Sequence, residues 1–386
     1  MAASPSTARA INDRFALRLL QDEGPLTATQ LKTLTGLSRP TVADLVERLR
    51  ESGLVHVVGE AGAERRGPNA KLYGIVAERA HLAALDVRTD SVSVVVADLL
   101  GTTLAEASAP VGDDNGTGPA VEKAVTLLER TVKEAGVDRL HTVAVGAPGL
   151  IDPATGELRD STGLPAWHRR LVAVLQERLP ARVLVENETN LAAVAEFREG
   201  AARDREDFVL LWLGQGVGAA VVLGGRVRRG ASGGAGEIGF LPVPGTSGLP
   251  SGTNCDGGFH ELVGAAAVET LATTHGVTPA NALTPEPGRA PAPATGGGRE
   301  AFLDVLAERL AIGAAAVASV LDPGCVVLGG ETGHRGGDEL ASRVEAVLAR
   351  LSPLRTGVRA STLGDAAVLR GALLRARDAA QDDLFP

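Results

Sequence analysis

The side chains best suited to chemistry in the first part of this sequence lie at the start of a predicted helix over residues 38–50. Ser38, Arg39 and Thr41 offer hydrogen-bond donors and acceptors that could reach base edges in the major groove of DNA. Arg50, later in the same segment, is better placed for phosphate oxygens. The residues expected to contact DNA from this helix are Ser38, Arg39, Pro40, Thr41, Asp44 and, through phosphates, Arg48.

Two further helices are predicted to support that segment. Residues 10–22 have the periodicity of an amphipathic helix that ends before Gly24 and Pro25. The apolar face of this helix is expected to contain Ile11, Phe15 and Leu19. Thr27 and Gln30 match a capping box at the start of a second, shorter helix. Its apolar face is expected to consist of Leu31 and Leu34.

The turn and the third helix complete a helix-turn-helix pattern. Gly36 stands at the tight position of the turn, Ser38 is a good N-cap, and Pro40 is tolerated in the first turn of a helix. Gly53 is predicted to end the helix. The buried stripe is expected to be Val42, Leu45, Val46 and Leu49.

Two short strands with an arginine-rich tip follow and predict a β-wing. Residues 54–58 and 71–75 are the strands, and the arginines between them could enter the minor groove or hold the DNA backbone. The predicted DNA contacts at the tip are Arg65, Arg66, Pro68 and Asn69. The alternative is a small helical bundle with no role in DNA binding, which the wing makes less favourable.

Composition fits a protein of two or three domains without a membrane span. The 386 residues contain 44% hydrophobic and 22% charged residues, and no uninterrupted apolar run reaches membrane length. The net charge is −9, but residues 1–75 sum to +2 and the remainder to −11. A basic head on an acidic body fits DNA binding by the head alone. Only two cysteines occur and no secretory signal is evident, so a reducing cytoplasm is expected.

The remainder of the chain predicts two similar α/β lobes. Three strands at residues 82–106 are followed by helical segments and a strand that ends in Gly146. The pattern repeats from residue 208 and ends in Gly329 and Gly330. We therefore expect a head over residues 1–78 and a body over 79–386. The lobes of the body are expected at about 79–200 and 201–386, with a ligand cleft at the strand ends.

Four motifs in this body occur in an order that resembles the ROK family (repressors, open reading frames and sugar kinases). They are residues 145–152 (VGAPGLID), 186–193 (ENETNLAA), 213–218 (LGQGVG) and 229–239 (RGASGGAGEIG). The resemblance covers about residues 80–380 and implies an α/β fold of the duplicated actin/hexokinase-like (ASKHA) kind. With the winged helix-turn-helix in front, the chain resembles the xylose- and N-acetylglucosamine-repressor branch.

The sequence departs from the family kinases at the parts that handle ATP. The family's catalytic base is an aspartate, and Glu188 stands at that position, displaced by one methylene. The phosphate loop of the kinases reads Asp-x-Gly-Gly-Thr, whereas residues 86–90 read DVRTD, so both glycines are absent. Residues 214–218 retain a second glycine loop, which could equally be a tight hairpin turn. We therefore expect no ATP cofactor and no catalytic residue.

The family's structural zinc site is also predicted to be lost. The four positions that would bind zinc carry side chains that do not: Phe240, Gly252, Asn254 and Phe259. Cys255 and His260 cannot replace a site with four ligands. Phe240 is expected to pack beneath its loop, and no metal is predicted.

The resemblance nevertheless implies that residues of the sugar pocket survive. The expected ligand contacts are Thr162, Asn187, Glu188, Glu237 and Glu261. Carboxylates and amides that pair with hydroxyl groups are the usual chemistry of such pockets, and they reject wrong ligands. The alternative for each residue is an exposed or helix-capping role.

These expectations combine into a hypothesis of a sugar-responsive transcriptional regulator, more readily a repressor than an activator. Its partners would be double-stranded operator DNA and a sugar or sugar-phosphate effector, and it would form a homodimer or homotetramer. Two alternatives remain open: an active ATP-dependent sugar kinase with an accessory head, and a DNA-binding regulator whose pocket is vestigial.

Overall fold

The computed structural model describes residues 5–61, 70–111, 116–159, 165–252, 257–283 and 298–385. The head contains three helices and a three-stranded antiparallel sheet in the order β1-β3-β2. Its elements are α1 (Pro5–Asp22), β1 (Leu26–Thr27), α2 (Ala28–Thr35), α3 (Arg39–Glu51), β2 (Val55–Ala61) and β3 (Ala70–Ile75).

Local hydrogen bonds fix the turn between α2 and α3 as the sequence predicts. Thr27 caps α2, its hydroxyl accepting from the backbone N–H of Gln30, and the Gln30 side chain returns to the Thr27 backbone to complete the capping box. Gly36 ends α2 in the left-handed region at φ 71°, which a side chain would disfavour. Ser38 caps α3 by accepting from the Thr41 backbone N–H at 3.3 Å.

The predicted apolar faces of α1 and α2 are wrong in part. Ile11 and Phe15 remain 59% and 45% exposed, and Leu34 is 45% exposed as well. The buried face of α1 consists of Asp13, Ala16, Leu17 and Leu20. The helix is rotated because the buried Asp13 carboxylate faces α3, where it accepts hydrogen bonds from Arg48. The predicted stripe of α3, by contrast, is buried as expected.

The body contains two five-stranded sheets with the same topology, as the repeated pattern predicts. Counted within each lobe, the strand order is 3-2-1-4-5, with antiparallel hairpins on one side and parallel strands on the other. The first lobe contains β4 (His81–Val87), β5 (Ser91–Asp98), β6 (Thr103–Pro110), α4 (Thr117–Glu134), β7 (Thr142–Ala147), α5 (Trp167–Arg178), β8 (Arg182–Asn187) and α6 (Glu188–Arg198).

The second lobe repeats this arrangement with more helices. It contains β9 (Phe208–Leu213), β10 (Val217–Leu223), β11 (Arg226–Arg228), α7 (Gly258–Val263), α8 (Ala265–Thr274), α9 (Pro279–Ala282), α10 (Gly298–Leu321), β12 (Cys325–Gly329), α11 (Gly330–Leu351) and β13 (Gly357–Ala360). The chain ends in α12 (Ala367–Leu384). Within the described ranges, no helix is both long and apolar enough to cross a membrane.

The last helix corrects the predicted lobe boundary at residue 386. Rather than staying with the second lobe, α12 packs on β4, β7 and α6 of the first lobe. Its buried residues Val368, Ala372 and Ala376 belong to the same apolar cluster as Leu82 and Leu191. Burial of this apolar face explains why the end of the chain packs on the first lobe, because helix α12 would otherwise expose an apolar stripe to water.

The same apolar cluster continues into the head. Leu17 of α1, Ile75 of β3, Leu99 after β5 and Phe385 after α12 are all buried within it. Polar contacts between α1 and α12 reinforce the junction: Arg14 forms an ion pair with Asp382, and the side-chain amide of Gln381 donates to Gln21 at 2.8 Å. The head is therefore packed on the first lobe through α12.

The close packing of the 229–239 segment against β10 can be tested at one glycine. Gly236 has φ 97°, and a Cβ there would lie 1.9 Å from the carbonyl oxygen of Ala219 in β10. Gly236→Ala should lower the free energy of unfolding by about 1–3 kcal/mol or more, measured by denaturant titration. Gly216→Ala is the matched control, because no atom lies within 4 Å of a Cβ built there. Equal effects of the two substitutions would contradict this packing.

Candidate functional site

The N-terminal turn of α3 presents an exposed surface in the head. Arg39, Pro40 and Thr41 are exposed, and the Thr41 hydroxyl lies 2.8 Å from that of Ser38. The buried stripe of α3 faces away from them into the head core. The positive end of the helix dipole lies at this turn and favours a nearby phosphate. The structure thus leaves the predicted reading surface open.

Arg48 has partners inside the head. Its guanidinium donates to both carboxylate oxygens of the buried Asp13, at 2.5 and 3.2 Å, and also pairs with Asp44. These two hydrogen bonds between α1 and α3 orient one helix on the other. The predicted phosphate contact of Arg48 therefore competes with an intramolecular ion pair. Arg50 similarly pairs with Glu47 on the same helix.

The predicted β-wing is present as two paired strands. β2 and β3 pair antiparallel from Val55 opposite Ile75 to Ala61 opposite Ala70. Arg65, Arg66, Pro68 and Asn69 lie outside the described residues. The antiparallel strands end at this segment, as a β-wing requires.

The cleft of the body is centred on Glu188, the first residue of α6. Its side chain is half-buried. Burial first, and then the nearby carboxylates of Asp86, Glu331 and Glu237, raise the pKa of Glu188 to about 7 against the opposing effect of Arg88. Glu188 therefore lies among carboxylates contributed by both lobes.

Arg88 is the cation of this cleft. Its Nε donates to Asp86 Oδ2 at 3.0 Å, and an Nη atom lies 3.6 Å from Glu331 Oε1 at the start of α11. A weaker hydrogen bond of 3.4 Å reaches the carbonyl oxygen of Asp365, in the turn that precedes α12. Arg88 thus connects the first lobe to the second lobe and to the start of the last helix.

The segment that corresponds to the kinase phosphate loop is closed by its own hydrogen bonds. The backbone N–H of Arg88 donates to the carbonyl oxygen of Ser91 at 2.9 Å, which completes the β4–β5 turn. Asp86 is buried, which raises the pKa of its carboxyl, while Arg88 opposes that shift. A phosphate in this position would meet the exposed carboxylate of Asp90, which stands where the kinase loop has threonine, so this turn does not favour an anion.

The residues predicted to bind a ligand have unequal positions. Asn187 caps α6, where its Oδ1 accepts from Thr189 and Asn190, and its side-chain amide donates to the Gly149 carbonyl at 2.9 Å. Both carboxylate oxygens of Glu261 accept from Ser247. Asn187 therefore has the helix-capping role that the sequence left open as an alternative, and Glu261 holds the loop at Ser247.

Glu237 remains available at the cleft. It is exposed on one side, and partial burial against the 229–239 segment raises the pKa of its carboxyl. Thr162 lies outside the described residues. Glu188 and Glu237 lie close enough to interact electrostatically, and neither carboxylate has a hydrogen bond or ion pair to another described residue.

Sequence reasoning missed an ion pair that joins the motifs. Glu186 is buried at the end of β8 and accepts from Arg229, whose Nε lies 2.8 Å away. The other Glu186 oxygen accepts from the side-chain amide of Asn190 at 3.1 Å. Glu186 and Arg229 are the first residues of two of the motifs in the sequence. Their opposite charges are the signal from which this ion pair could have been predicted.

Comparison with known proteins identifies the family. A family model described as the ROK family matches residues 82–379, and one described as the MarR family matches residues 13–66. The chain belongs to the ROK family. The second match covers the winged head described above.

Named relatives include regulators. The chain is 27% identical over 253 residues to the DNA-binding transcriptional dual regulator NagC of Escherichia coli strain K12, covering 64% of this chain and 59% of that protein. It is 25% identical over 241 residues to the xylose repressor of Caldicellulosiruptor bescii, covering 60% of this chain and 59% of the repressor. The chain thus aligns with about 59% of the length of either relative.

Solved structures support both the ROK fold and the order of its domains. A ROK family transcriptional regulator, a homolog of the E. coli MLC protein, superposes with a TM-score of 0.74 over 98% of each chain at 19% identity. The ROK hexokinase of Thermus thermophilus superposes with a TM-score of 0.62 at 28% identity, over 78% of this chain and 99% of the hexokinase. The first match extends through the head, whereas the second is confined to a part of this chain.

Of the four positions that the family resemblance assigns to zinc, three lie within the described residues. Phe259 is fully buried, and its ring packs against Gly313 of α10, where a Cβ would come within 2.4 Å. Phe240 is 41% exposed, so the prediction that it packs beneath its loop is wrong. Phe259 fills that interior instead. Asn254 lies outside the described residues, and Gly252 offers no ligand atom.

The second glycine loop lies in the second lobe of the ROK domain. The glycine loop at 214–216 is the short connection of the β9–β10 hairpin, with Leu213 opposite Val217. This is the hairpin that the sequence left as an alternative.

Among the described residues, no group of three or more His, Cys, Asp or Glu side chains is arranged to hold a metal ion.

The raised pKa of Glu188 predicts a pH-dependent stability. A carboxyl whose pKa rises from 4.5 to about 7 on folding binds more protons in the folded state, so stability falls as pH rises through that interval. Glu188→Gln removes this penalty. Its stabilising effect on the unfolding free energy should grow by about 1–3 kcal/mol between about pH 5 and about pH 8. Glu129→Gln, on the exposed face of α4, is the control, and a pH-independent effect of Glu188→Gln would refute the burial of that charge.

Proposed function

We propose that this ROK protein is a sugar-responsive DNA-binding transcriptional regulator, a repressor, whose kinase-like body senses its ligand without phosphorylating it. The observation that carries the proposal is the position of Arg88. It lies where the family kinases have a glycine of the phosphate loop, and it pairs with Asp86 in one lobe and Glu331 in the other. The winged head, which is packed on the same body, is the part proposed to bind DNA.

The loss of kinase activity follows from the chemistry of phosphate binding. A phosphate loop requires backbone N–H groups that are free and close to the ligand. Here the N–H of Arg88 donates to the carbonyl oxygen of Ser91, and Asp90 adds a negative charge where the kinase loop has threonine. Glu188 replaces the aspartate base with a longer side chain, and misplacement of a reacting group by about 1 Å can reduce the rate roughly 100-fold.

The effector is proposed to be a sugar or a sugar phosphate, bound between the lobes at Glu188 and Glu237. Hydroxyl groups donate well to carboxylates, and such bonds would offset the cost of keeping these groups in a confined cleft. A ligand that prefers one arrangement of the lobes shifts the equilibrium between arrangements. The names of the relatives, which include an N-acetylglucosamine repressor and a xylose repressor, support a carbohydrate as the class.

The partners follow from the head. Double-stranded operator DNA is proposed to receive the N-terminal turn of α3 in the major groove and the wing beside it. A homodimer or homotetramer would place two heads on two half-sites, and a cytoplasmic location accompanies that role. The decisive experiment is a gel shift and footprint on the DNA upstream of the gene that encodes this protein, repeated with a panel of sugars and sugar phosphates. Operator binding unchanged by every compound would exclude the sensing role.

The recognition turn gives a test of DNA binding by itself. Arg39 is exposed at the N-terminus of α3. Arg39→Ala should weaken binding to the footprinted site by about 1–3 kcal/mol while binding to unrelated DNA changes less. Arg226→Ala, an exposed arginine on β11, controls for loss of general charge. An equal loss on specific and unrelated DNA would assign Arg39 to phosphate contact.

The second candidate function is an active sugar kinase with an accessory head. The pKa of Glu188, about 7, favours it because a general base works best near the ambient pH. We expect purified protein to transfer no phosphate from ATP to any sugar of the panel, measured by coupled assay. ATP-dependent phosphorylation that disappears in Glu188→Ala would establish the kinase and refute the sensor without turnover.

A further inference from the structure

A groove separate from the cleft lies on the outer side of the first lobe. It has a volume of about 270 Å³ and runs between the β5–β6 hairpin and α12. We call it the α12 groove and define it by Val95, Gly101, Leu369, Arg370, Leu373 and Arg377. Its walls combine aliphatic side chains with two arginines and two glutamates, so the groove can contact both an apolar body and a charged group.

Arg377 is the unusual residue of this groove. Its side chain is half-buried beside the turn at Gly101, where a Cβ would lie 3.7 Å from a guanidinium nitrogen. Its Nε is buried and has no hydrogen-bond partner among the described residues. Burial lowers the pKa of Arg377. A buried donor without a partner is costly, so this arrangement favours an acceptor supplied from outside the chain.

Two of the carboxylates near Arg377 form ion pairs with other arginines. Asp378 accepts from Arg198 at 2.7 Å, and Glu199 accepts from Arg370 at 2.7 Å. Neither carboxylate forms an ion pair with Arg377. Among the described residues, Arg377 is therefore the arginine of the groove without an ion pair, whereas Arg370 is paired with Glu199.

We propose that the α12 groove binds a small organic monoanion, a carboxylate with a short apolar body, through the Arg377 guanidinium. One unmatched cation calls for a single negative charge. A planar guanidinium pairs with a carboxylate through two parallel hydrogen bonds. The aliphatic side chains of Leu369 and Leu373 would contact the hydrocarbon part, and the Glu106 carboxylate at the rim disfavours a dianion.

The position of the groove gives such a ligand access to the head. Arg377 lies one helical turn before Gln381 and Asp382, the residues of α12 that contact α1. An acid held by Arg377 therefore contacts the helix on which the head is packed. The site is independent of the sugar cleft, and its occupancy does not require that the proposed regulatory function be correct.

Thermal unfolding of the full-length protein with butyrate as the probe tests the site, at an ionic strength matched with chloride. Butyrate should raise the melting temperature in a saturable way, and butyramide, which has the same shape without the charge, should not. Isothermal titration calorimetry should give an affinity for butyrate at least about tenfold weaker in Arg377→Met than in the wild type. Arg226→Met is the control and should bind as the wild type does.

The comparison of acid and amide needs no substitution, so a failure of Arg377→Met to fold does not weaken the test. Arg377→Lys retains the charge without the planar fork and should bind more weakly than the wild type. Equal responses to butyrate and butyramide, or the absence of saturable butyrate binding, would overturn the proposal. A larger stabilisation by inorganic phosphate than by butyrate would contradict the assignment to a carboxylate.

Discussion

The structure depends on the burial of α12 against the first lobe. This helix closes the chain over β4, β7 and α6, and its apolar residues join a cluster that continues into α1 and β3 of the head. The free energy of that burial grows with the apolar area removed from water. Because one cluster serves the head and the lobe, displacement of α12 cannot leave the placement of the head unchanged. The DNA-binding surface is therefore held by the same contacts that complete the kinase-like fold.

A second constraint is the excess of negative charge in the cleft. Asp86, Glu188, Glu237 and Glu331 face a single guanidinium, that of Arg88. Burial of the Glu188 carboxyl, and after it Coulomb repulsion from the neighbouring carboxylates, raises its pKa, so that the proton of Glu188 is retained up to about pH 7. Four carboxylates around one guanidinium repel a polyanion more strongly than a neutral ligand with hydroxyl groups, which agrees with the ligand class proposed above.

Much of the fold was predictable because local signals coincided with tertiary packing. The caps at Thr27, Gly36 and Ser38 and the repeated strand order were readable from spacing alone. The face of α1 was not, because a buried Asp13–Arg48 pair outweighed the apolar periodicity that placed Ile11 and Phe15 inside. The return of α12 and the Arg229–Glu186 pair are contacts over long sequence separations, which no local pattern encodes. For the same reason the sequence located the cleft but did not separate Glu237, which faces it, from Glu261, which holds Ser247.

Arg88 has a place in the contacts between cleft and head. It reaches Asp365 in the turn before α12, α12 contacts α1 through Gln381 and Asp382, and Asp13 of α1 holds Arg48 of α3. Such a series of contacts transmits a signal only if the ligand binds two arrangements of the lobes with different affinity. Arg88 is suited to create that difference, because its ion pair with Glu331 spans the lobes and would break if they separated. The same side chain contacts the turn before α12, so a change at Arg88 would reach the helix on which the head is packed.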